Sequence, residues 1–312
     1  IEVISSNYDE IIINLPEEFK QEPIHRYGEN MFALFSLPTP VWGMVVGIIG
    51  RNGIGKTTAM KILAGALNPN LGAEKNATQQ QVLEYFKGTE MFSYLQKMYA
   101  GEIKVSYKPQ YVDMISKTST GKVRDLLTKV DEKQQLQHLA EQLQITSVLD
   151  HDIATVSGGE LQRIALAATI LKKANVYVFD EPTSYLDIRQ RIRVAQIIKD
   201  LAQEDVAVMV IEHDLLALDF ITDTVHILYG KEGSYGVVSH PRATKEGVNV
   251  YLEGYLKEEN MRIRDIPIKF EVKPPYKSTH EKALISWPDI KKQLGSFRLN
   301  VHAGSIGRNE VV

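Results

Sequence analysis

Cysteine is absent from all 312 residues, so this chain can form no disulfide and can hold no zinc or iron–sulfur cluster on its own thiolates. That composition suits a reducing, cytoplasmic setting. Long apolar runs are missing too. Stretches such as MVVGIIG (44–50) and VAVMVI (206–211) are far too short to cross a bilayer, and no secretory leader pattern is present. No membrane partner is expected. Nor is there strong charge of either sign. A formal net charge of −3 excludes a protein that coats nucleic acid by bulk attraction, while leaving room for local basic patches. The first residue is Ile1 rather than methionine, and residues ahead of it are expected. What is there is a chain with 44% hydrophobic residues, enough for a packed core in one large or two medium domains.

Three short apolar stretches end in polar residues. Met44–Ile49 leads into a glycine-rich loop, Val176–Phe179 into Asp180–Glu181, and Val206–Ile211 into Glu212–His213–Asp214. Each is strand-length and apolar on both faces, as buried parallel strands are. Helical patterns follow each one: TTAMKILAGAL, RQRIRVAQIIKDLA and DLLALDFITD. Strands alternating with helices predict a parallel α/β sheet, and such sheets bind ligands at the carboxyl ends of their strands. The polar clusters are therefore expected to form one site.

The loop Gly50–Thr57, GRNGIGKT, has the spacing G-x-x-x-x-G-K-[ST] between a strand and a helix, the signature of a P-loop. Its glycines let the backbone N–H groups of Asn52, Gly53, Ile54 and Gly55 curl around phosphates, where a helix N-terminus favours negative charge. Lys56 would reach the β- and γ-phosphates of ATP, and Thr57 would hold Mg2+, with Thr58 next in the first turn. The bland alternative is a glycine-rich strand–helix turn. Asp180 is a second expected Mg2+ ligand, and Glu181 beside it could take a proton from the attacking water. An acidic helix start before Pro182 is the competing explanation. His213 would sense the γ-phosphate or the water. Gln110, in KPQYVD, would link Mg2+ or water to a moving part, although a lone glutamine is weak support.

A second glycine-bearing segment, VSGGELQR (156–163), opens an apolar-periodic run. Ser157-x-x-Glu160 is a capping box, which explains the serine and glutamate but not Gly158 and Gly159. Glycine inside a helix costs roughly 1 kcal/mol relative to alanine. Bare N–H groups at a helix N-terminus instead suit phosphate. The chain's own phosphates are already served by Gly50–Thr57, so Ser157, Gly158, Gly159 and Glu160 are expected to act on ATP held by a partner domain.

In this order, GRNGIGKT, Gln110, VSGGELQR, VYVFDEP, SYLD and His213 resemble an ABC-type ATPase domain over roughly residues 25–235. The resemblance implies an α/β P-loop NTPase fold: a parallel sheet core, an antiparallel β layer and a helical subdomain at about 111–172. It implies ATP-driven closure of two nucleotide-binding domains, then hydrolysis to ADP and phosphate. Asp187 matches the loop that communicates across the dimer interface. Val156 stands where the family usually has leucine, a departure that leaves the phosphate contacts untouched.

Within the family the chain resembles the ribosome-recycling subfamily E, also called RNase L inhibitor. HRYGENMF (25–32) matches the segment before that subfamily's first ATPase core, which implies that Tyr27, with Phe32 close by, stacks on adenine; two aromatics packed in a β layer are the alternative. Residues 78–100 read as helix–turn–helix broken at Gly88 and resemble the subfamily's insertion that contacts the small ribosomal subunit. Lys87 and Lys97 could meet rRNA phosphates there, and an ordinary hairpin shielding the core is the alternative. SYLDIRQR (184–191) and YLEGYLKEENMRIR (251–264) are also similar to subfamily stretches. Arg189 and Arg193 lie one helical turn apart and could make an interdomain or hinge contact.

By the same resemblance, residues 1–24 form a connector after an iron–sulfur domain, so clusters are expected only in that missing domain. Residues 25–239 form the first nucleotide-binding domain, and 240–296 an irregular connector and hinge carrying VKPPYKS and SWPDIKK. FRLNVHAGSIGRNEVV (297–312) echoes FALFSLPTPVWGMVV (32–46) and is expected to open a second nucleotide-binding domain. The implied function is the ATPase half of a twin-domain machine that splits ribosomal subunits. Its implied partners are that second domain, the small ribosomal subunit with its rRNA, and a release or rescue factor. The alternatives are a transporter's ATPase subunit and a nucleotide-gated scaffold with slow hydrolysis.

Overall fold

The computed structural model describes residues 22–269, 283–295 and 297–307. The chain divides into two compact units, Ile1–Ile268 and Lys269–Val312. In the first, a hairpin of β1 (His25–Arg26) and β2 (Ala33–Leu34) precedes β3 (Val45–Gly50) and α1 (Lys56–Leu63). A pair of helices, α2 (Gln79–Tyr85) and α3 (Glu90–Tyr99), leads to β4 (Val105–Lys108). Four helices follow: α4 (Asp113–Thr118), α5 (Val123–Val130), α6 (Leu136–Gln142) and α7 (Gly158–Ile170). The sheet resumes with β5 (Val176–Asp180), α8 (Ile188–Asp200), β6 (Ala207–Ile211), α9 (Leu215–Ile221), β7 (Thr224–Lys231) and β8 (Tyr235–Val238). Last come β9 (Arg242–Ala243), α10 (Thr244–Glu253), β10 (Tyr255–Leu256) and β11 (Met261–Arg262).

The strand order is β1-β2-β8-β7-β3-β6-β5-β4, with β9 beside β7. From β7 to β4 every pairing is parallel. The antiparallel pairings, β1 with β2 and β8 and β9 with β7, continue the same sheet rather than forming a detached layer. Alternation assigns the faces. Tyr177 and Phe179 of β5, with Val208 and Val210 of β6, enter a core shared with α5, α7 and α8. Their neighbours Val176, Val178, Ala207 and Met209 enter the opposite core with α1, α2 and α3. Strands buried on both faces leave only their ends free to carry polar groups, which sets the site at one sheet edge.

The helical pair at 78–100 forms where the sequence expects it. Thr78 and Gln81 make a reciprocal capping box, and the break falls at Gly88, whose φ of 85° suits glycine. Val82, Phe86, Met91, Tyr94 and Leu95 are buried, and the Tyr94 hydroxyl donates to Leu63 O at 2.7 Å. The apolar face is thus spent on the protein's own core. Lys87 is exposed and pairs with Glu84 at 3.5 Å; Lys97 is also exposed.

The stretch 240–296 departs from the irregular course expected for it. Up to Ile268 it belongs to the first unit, where Leu256 is fully buried and Val248, Tyr251, Met261 and Ile263 pack around Val225 and Ile227. The apolar spacing in VNVYLEGYL drives this, since such a face gains more by covering β7 than by running free in water. In the second unit, β12 (Ile285–Trp287) pairs with β15 (Gly304–Ile306), and β13 (Ile290–Leu294) with β14 (Phe297–Val301), all antiparallel. SWPDIKK is therefore largely strand; Asp289 turns the chain by accepting from Ala303 N at 2.7 Å. VKPPYKS (272–278), most of the 1–24 segment and 308–312 lie outside the described residues.

Candidate active site

The loop between β3 and α1 is bent by glycines at positive φ, 75° at Gly53 and 92° at Gly55. Gly55 is also packed against Phe32: a β-carbon there would sit 2.5 Å from the Phe32 ring. On the other side Gly236 of β8 lets Ile54 O approach the sheet directly. The loop is thereby held in one curve beside a cleft of about 390 Å³. Tyr27, Phe32, Asn52, Gly53, Gly55, Lys56, Thr57, Thr58, Gln110, Asp180, Glu181 and His213 all line it, joined by Tyr111. Ile54 is the one loop residue of the expected set that turns away, 1% exposed in the core beneath. Tyr27 stands at the mouth, about half exposed, its hydroxyl 3.1 Å from Thr58 Oγ1 and its ring edge-on to buried His25.

Charge is concentrated at the strand ends. Lys56 Nζ donates to the carbonyls of Gly50 at 2.9 Å and Arg51 at 2.7 Å. Burial pulls its pKa down to about 8, against the opposing charges of Glu181 and Asp180. Thr57 Oγ1 donates to Asp180 Oδ2 at 2.8 Å. Asp180 is 1% exposed, and its second oxygen, Oδ1, accepts no hydrogen bond among the described residues. Burial raises its pKa, and the nearby Glu181 charge adds to the rise. A buried, half-satisfied carboxylate beside a threonine hydroxyl and a glutamine amide is an oxygen donor set that fits a hard divalent cation.

Glu181 gathers donors from three elements. Gln110 Nε2 donates to its Oε1 at 2.6 Å, His213 Nε2 lies 3.3 Å from the same oxygen, and Ser184 Oγ donates to Oε2 at 3.2 Å. Burial lowers the His213 pKa, helped by the Lys56 charge and opposed by Glu181, so the imidazole is neutral at pH 7. Beneath it Glu212 accepts from Thr183 Oγ1 at 2.7 Å and His213 N at 2.8 Å, tying the ends of β5 and β6 together. Ser184, in SYLD, and Glu212, in the polar end of β6, carry no separate role in the sequence reading, and Thr183 leaves no signal there. Two further buried side chains, Lys108 and Gln162, reach the main chain of the acidic pair and were missed as well.

Ser157–Glu160 lie apart from this cleft's lining. The capping box forms: Glu160 Oε2 accepts from Ser157 N at 2.8 Å and from Ser157 Oγ at 2.7 Å, bonds that hold the carboxyl below the usual range. The two glycines differ in their surroundings. A β-carbon on Gly159 would fall 3.1 Å from Tyr185 O, so that glycine has a reason inside the chain. At Gly158 a β-carbon would meet nothing within 4 Å, and the residue is exposed with Ser157. Asp187 caps α8, accepting from Arg189 N at 2.9 Å and Gln190 N at 3.0 Å, and it is exposed. Arg189 and Arg193 are exposed too.

A P-loop on a parallel sheet, with a helical subdomain opening on a capped glycine pair, defines an ABC-type nucleotide-binding domain. The ABC transporter family pattern matches residues 41–184. ABC transporter E family member 1 of Arabidopsis thaliana is 42% identical over 306 residues, 96% of this chain and 51% of that protein. A solved archaeal complex of ribosomal stalk protein aP1 with ribosome recycling factor aABCE1 superposes with a TM-score of 0.87 at 47% identity, covering 95% of this chain and 56% of that one. A structure of ribosome-bound archaeal Pelota and ABCE1 gives a TM-score of 0.85 at 47% identity, covering 94% and 49%. The chain belongs to the ABC-type ATPases, in their subfamily E, the RNase L inhibitor group. It spans about half the length of the curated relatives it matches. Among the described residues no helix is long and apolar enough to cross a membrane.

Proposed function

We propose that the chain is the first ATP-binding and hydrolysing half of a twin-domain ABC ATPase, and that its closure on ATP splits ribosomal subunits in the cytoplasm. ATP enters the cleft with its phosphates against the N–H groups of Asn52 to Thr58 and its adenine against Tyr27, beside Phe32. The triphosphate offers acceptors to Lys56, whose ammonium otherwise bonds to the loop's own carbonyls. Thr57, Asp180 and Gln110 would hold Mg2+, which when bound neutralises charge on the β- and γ-phosphates.

Glu181 accepts the proton of the attacking water as oxygen bonds to the γ-phosphorus and the bond to the leaving ADP oxygen breaks. Neutral His213 and Gln110 donate to the same carboxylate oxygen and fix where that proton arrives. Their shared attachment also makes the carboxylate sensitive to the strand ends on either side.

The observation that carries the twin-domain reading is Gly158. Among the described residues nothing crowds that position, and its φ is not left-handed, which supports reading the missing side chain as room for an incoming group. Ser157 and Gly158 at a helix N-terminus would take the γ-phosphate of ATP bound in the opposing domain, with Asp187 at the same interface. In the second unit, β14 and β15, within residues 297–312, are read as the opening of the second nucleotide-binding domain.

The ribosomal target rests on the relatives, a recycling factor bound to a stalk protein and one bound to the ribosome with Pelota. A rescue factor of that kind and the small subunit, met by the polar face of α2 and α3, are the partners assigned to this chain. The test is ATP-dependent co-sedimentation of the full polypeptide, carrying Glu181→Gln, with small ribosomal subunits. Retention with ATP but not ADP is expected. Equal sedimentation with either nucleotide removes the proposed coupling.

A further inference from the structure

Past Asp180 the chain leaves the sheet abruptly. Glu181 N still donates to Ile211 O at 3.0 Å, yet Glu181 itself adopts a φ of 49°. That left-handed conformation is unfavourable for a residue with a β-carbon and persists only where surrounding bonds impose it. Two buried side chains supply those bonds. Lys108 Nζ donates to Asp180 O at 2.9 Å and to Glu181 O at 3.2 Å. Gln162 Nε2 donates to Glu181 O at 2.8 Å and to Pro182 O at 3.0 Å. Three successive carbonyls are thus held by two side chains, each 0% exposed.

Their origins matter. Lys108 is the last residue of β4, paired in register with Phe179, so its side chain projects along the sheet edge to the end of β5. Gln162 sits on α7, five positions beyond Ser157. A methionine would fill the space of Lys108 without bringing a cation out of water, and an apolar residue would suit the buried face of α7 better than an amide whose Oε1 accepts no bond. Core filling does not account for either choice.

We propose that Lys108 and Gln162 are positioning residues that hold the main chain of Glu181, and through it the carboxylate, in the conformation that takes the proton from water. The proposal rests on the reading of Glu181 as general base. It also makes the base depend on α7: a shift of that helix moves the shorter of the two donors on Glu181 O. Neither side chain lines the nucleotide cleft, so their loss should alter the chemical step and spare binding.

The test compares Lys108→Met, Glu181→Gln and the double variant in the full polypeptide, with single-turnover ATP hydrolysis and ATP affinity measured for each. Lys108→Met should slow hydrolysis roughly tenfold to a hundredfold, as a misplaced catalytic group does, with affinity changed less than about twofold. Placed on Glu181→Gln, where the base is already gone, it should change the residual rate by less than about twofold. An equal loss in both backgrounds, an unaltered rate, or weakened affinity at unaltered rate overturns the proposal. Should Lys108→Met fail to fold, Gln162→Leu removes the shortest bond to Glu181 O and is judged by the same criteria. If Glu181→Gln alone retains full turnover, the base assignment fails, which is a separate result.

Discussion

Helices α1 and α7 both begin beside glycine, and the contrast between the two beginnings separates what a fold needs from what a partner needs. At α1, Gly53 and Gly55 have left-handed φ and Gly55 lies against the Phe32 ring, so the chain itself forbids a side chain. At α7 the backbone is ordinary, the serine and glutamate cap each other, and Gly159 alone is crowded, by Tyr185 O. Gly158 is free of any demand from its own chain. One cradle answers to its own fold; the other, on the proposed reading, answers to a partner domain.

Substitutions can break or sharpen that contrast. Gly55→Ala should have the largest effect, costing roughly 2–5 kcal/mol of stability from strain and overpacking together and abolishing ATP binding. Urea unfolding and nucleotide titration would check it; a stable, ATP-binding variant would contradict the packing described. Gly158→Asp should fold normally, since an acidic residue suits the first turn of a helix. It should nonetheless lower hydrolysis by the full polypeptide roughly tenfold or more by placing charge against the opposing phosphate. Gly158→Ala should shift stability by less than about 1 kcal/mol, in the stabilising direction. A strongly destabilised Gly158→Ala would show that this glycine, too, answers to its own fold.

A further effect concerns pH. Lys56 and Lys108 both have folded-state pKa values of about 8, below the 10.5 of an unperturbed lysine. The unfolded chain therefore binds more protons than the folded one between those values, and stability of the nucleotide-free protein should rise as pH goes from 8 to 10. Thermal unfolding across that range checks this, and Lys56→Met should flatten the slope by removing one of the two groups. A slope that falls would mean that burial does not lower the pKa of these lysines in the folded state.

Much of the site was legible because its chemistry falls at strand ends that apolar runs announce. Lys56, Thr57, Asp180, Glu181, His213 and Gln110 come from separate stretches and line one cleft. Lys108 was hidden because a lysine closing a strand normally reaches water; only its register opposite Phe179 buries it. Gln162 did leave a signal, since helical spacing puts it in line with Ala165, Leu166 and Thr169, all buried. The reason for Gly159 is a close approach by Tyr185, which no local pattern records. In the segment after β8 the prolines and lysines of VKPPYKS and SWPDIKK stand out in the sequence, whereas the apolar spacing around Leu256, which fastens its first part to β7, is a weaker local signal.

The pairing of α2 with α3 has one more consequence. With Val82, Phe86, Met91, Tyr94 and Leu95 turned inward, the outward surface is left to Gln80, Glu84, Lys87, Glu90, Gln96 and Lys97, two acids balanced by two bases. Such a face can be rewritten residue by residue in evolution or in the laboratory while the scaffold under it stays intact. A partner docked there, as proposed above, would be held by polar complementarity, and salt should loosen that hold long before heat does.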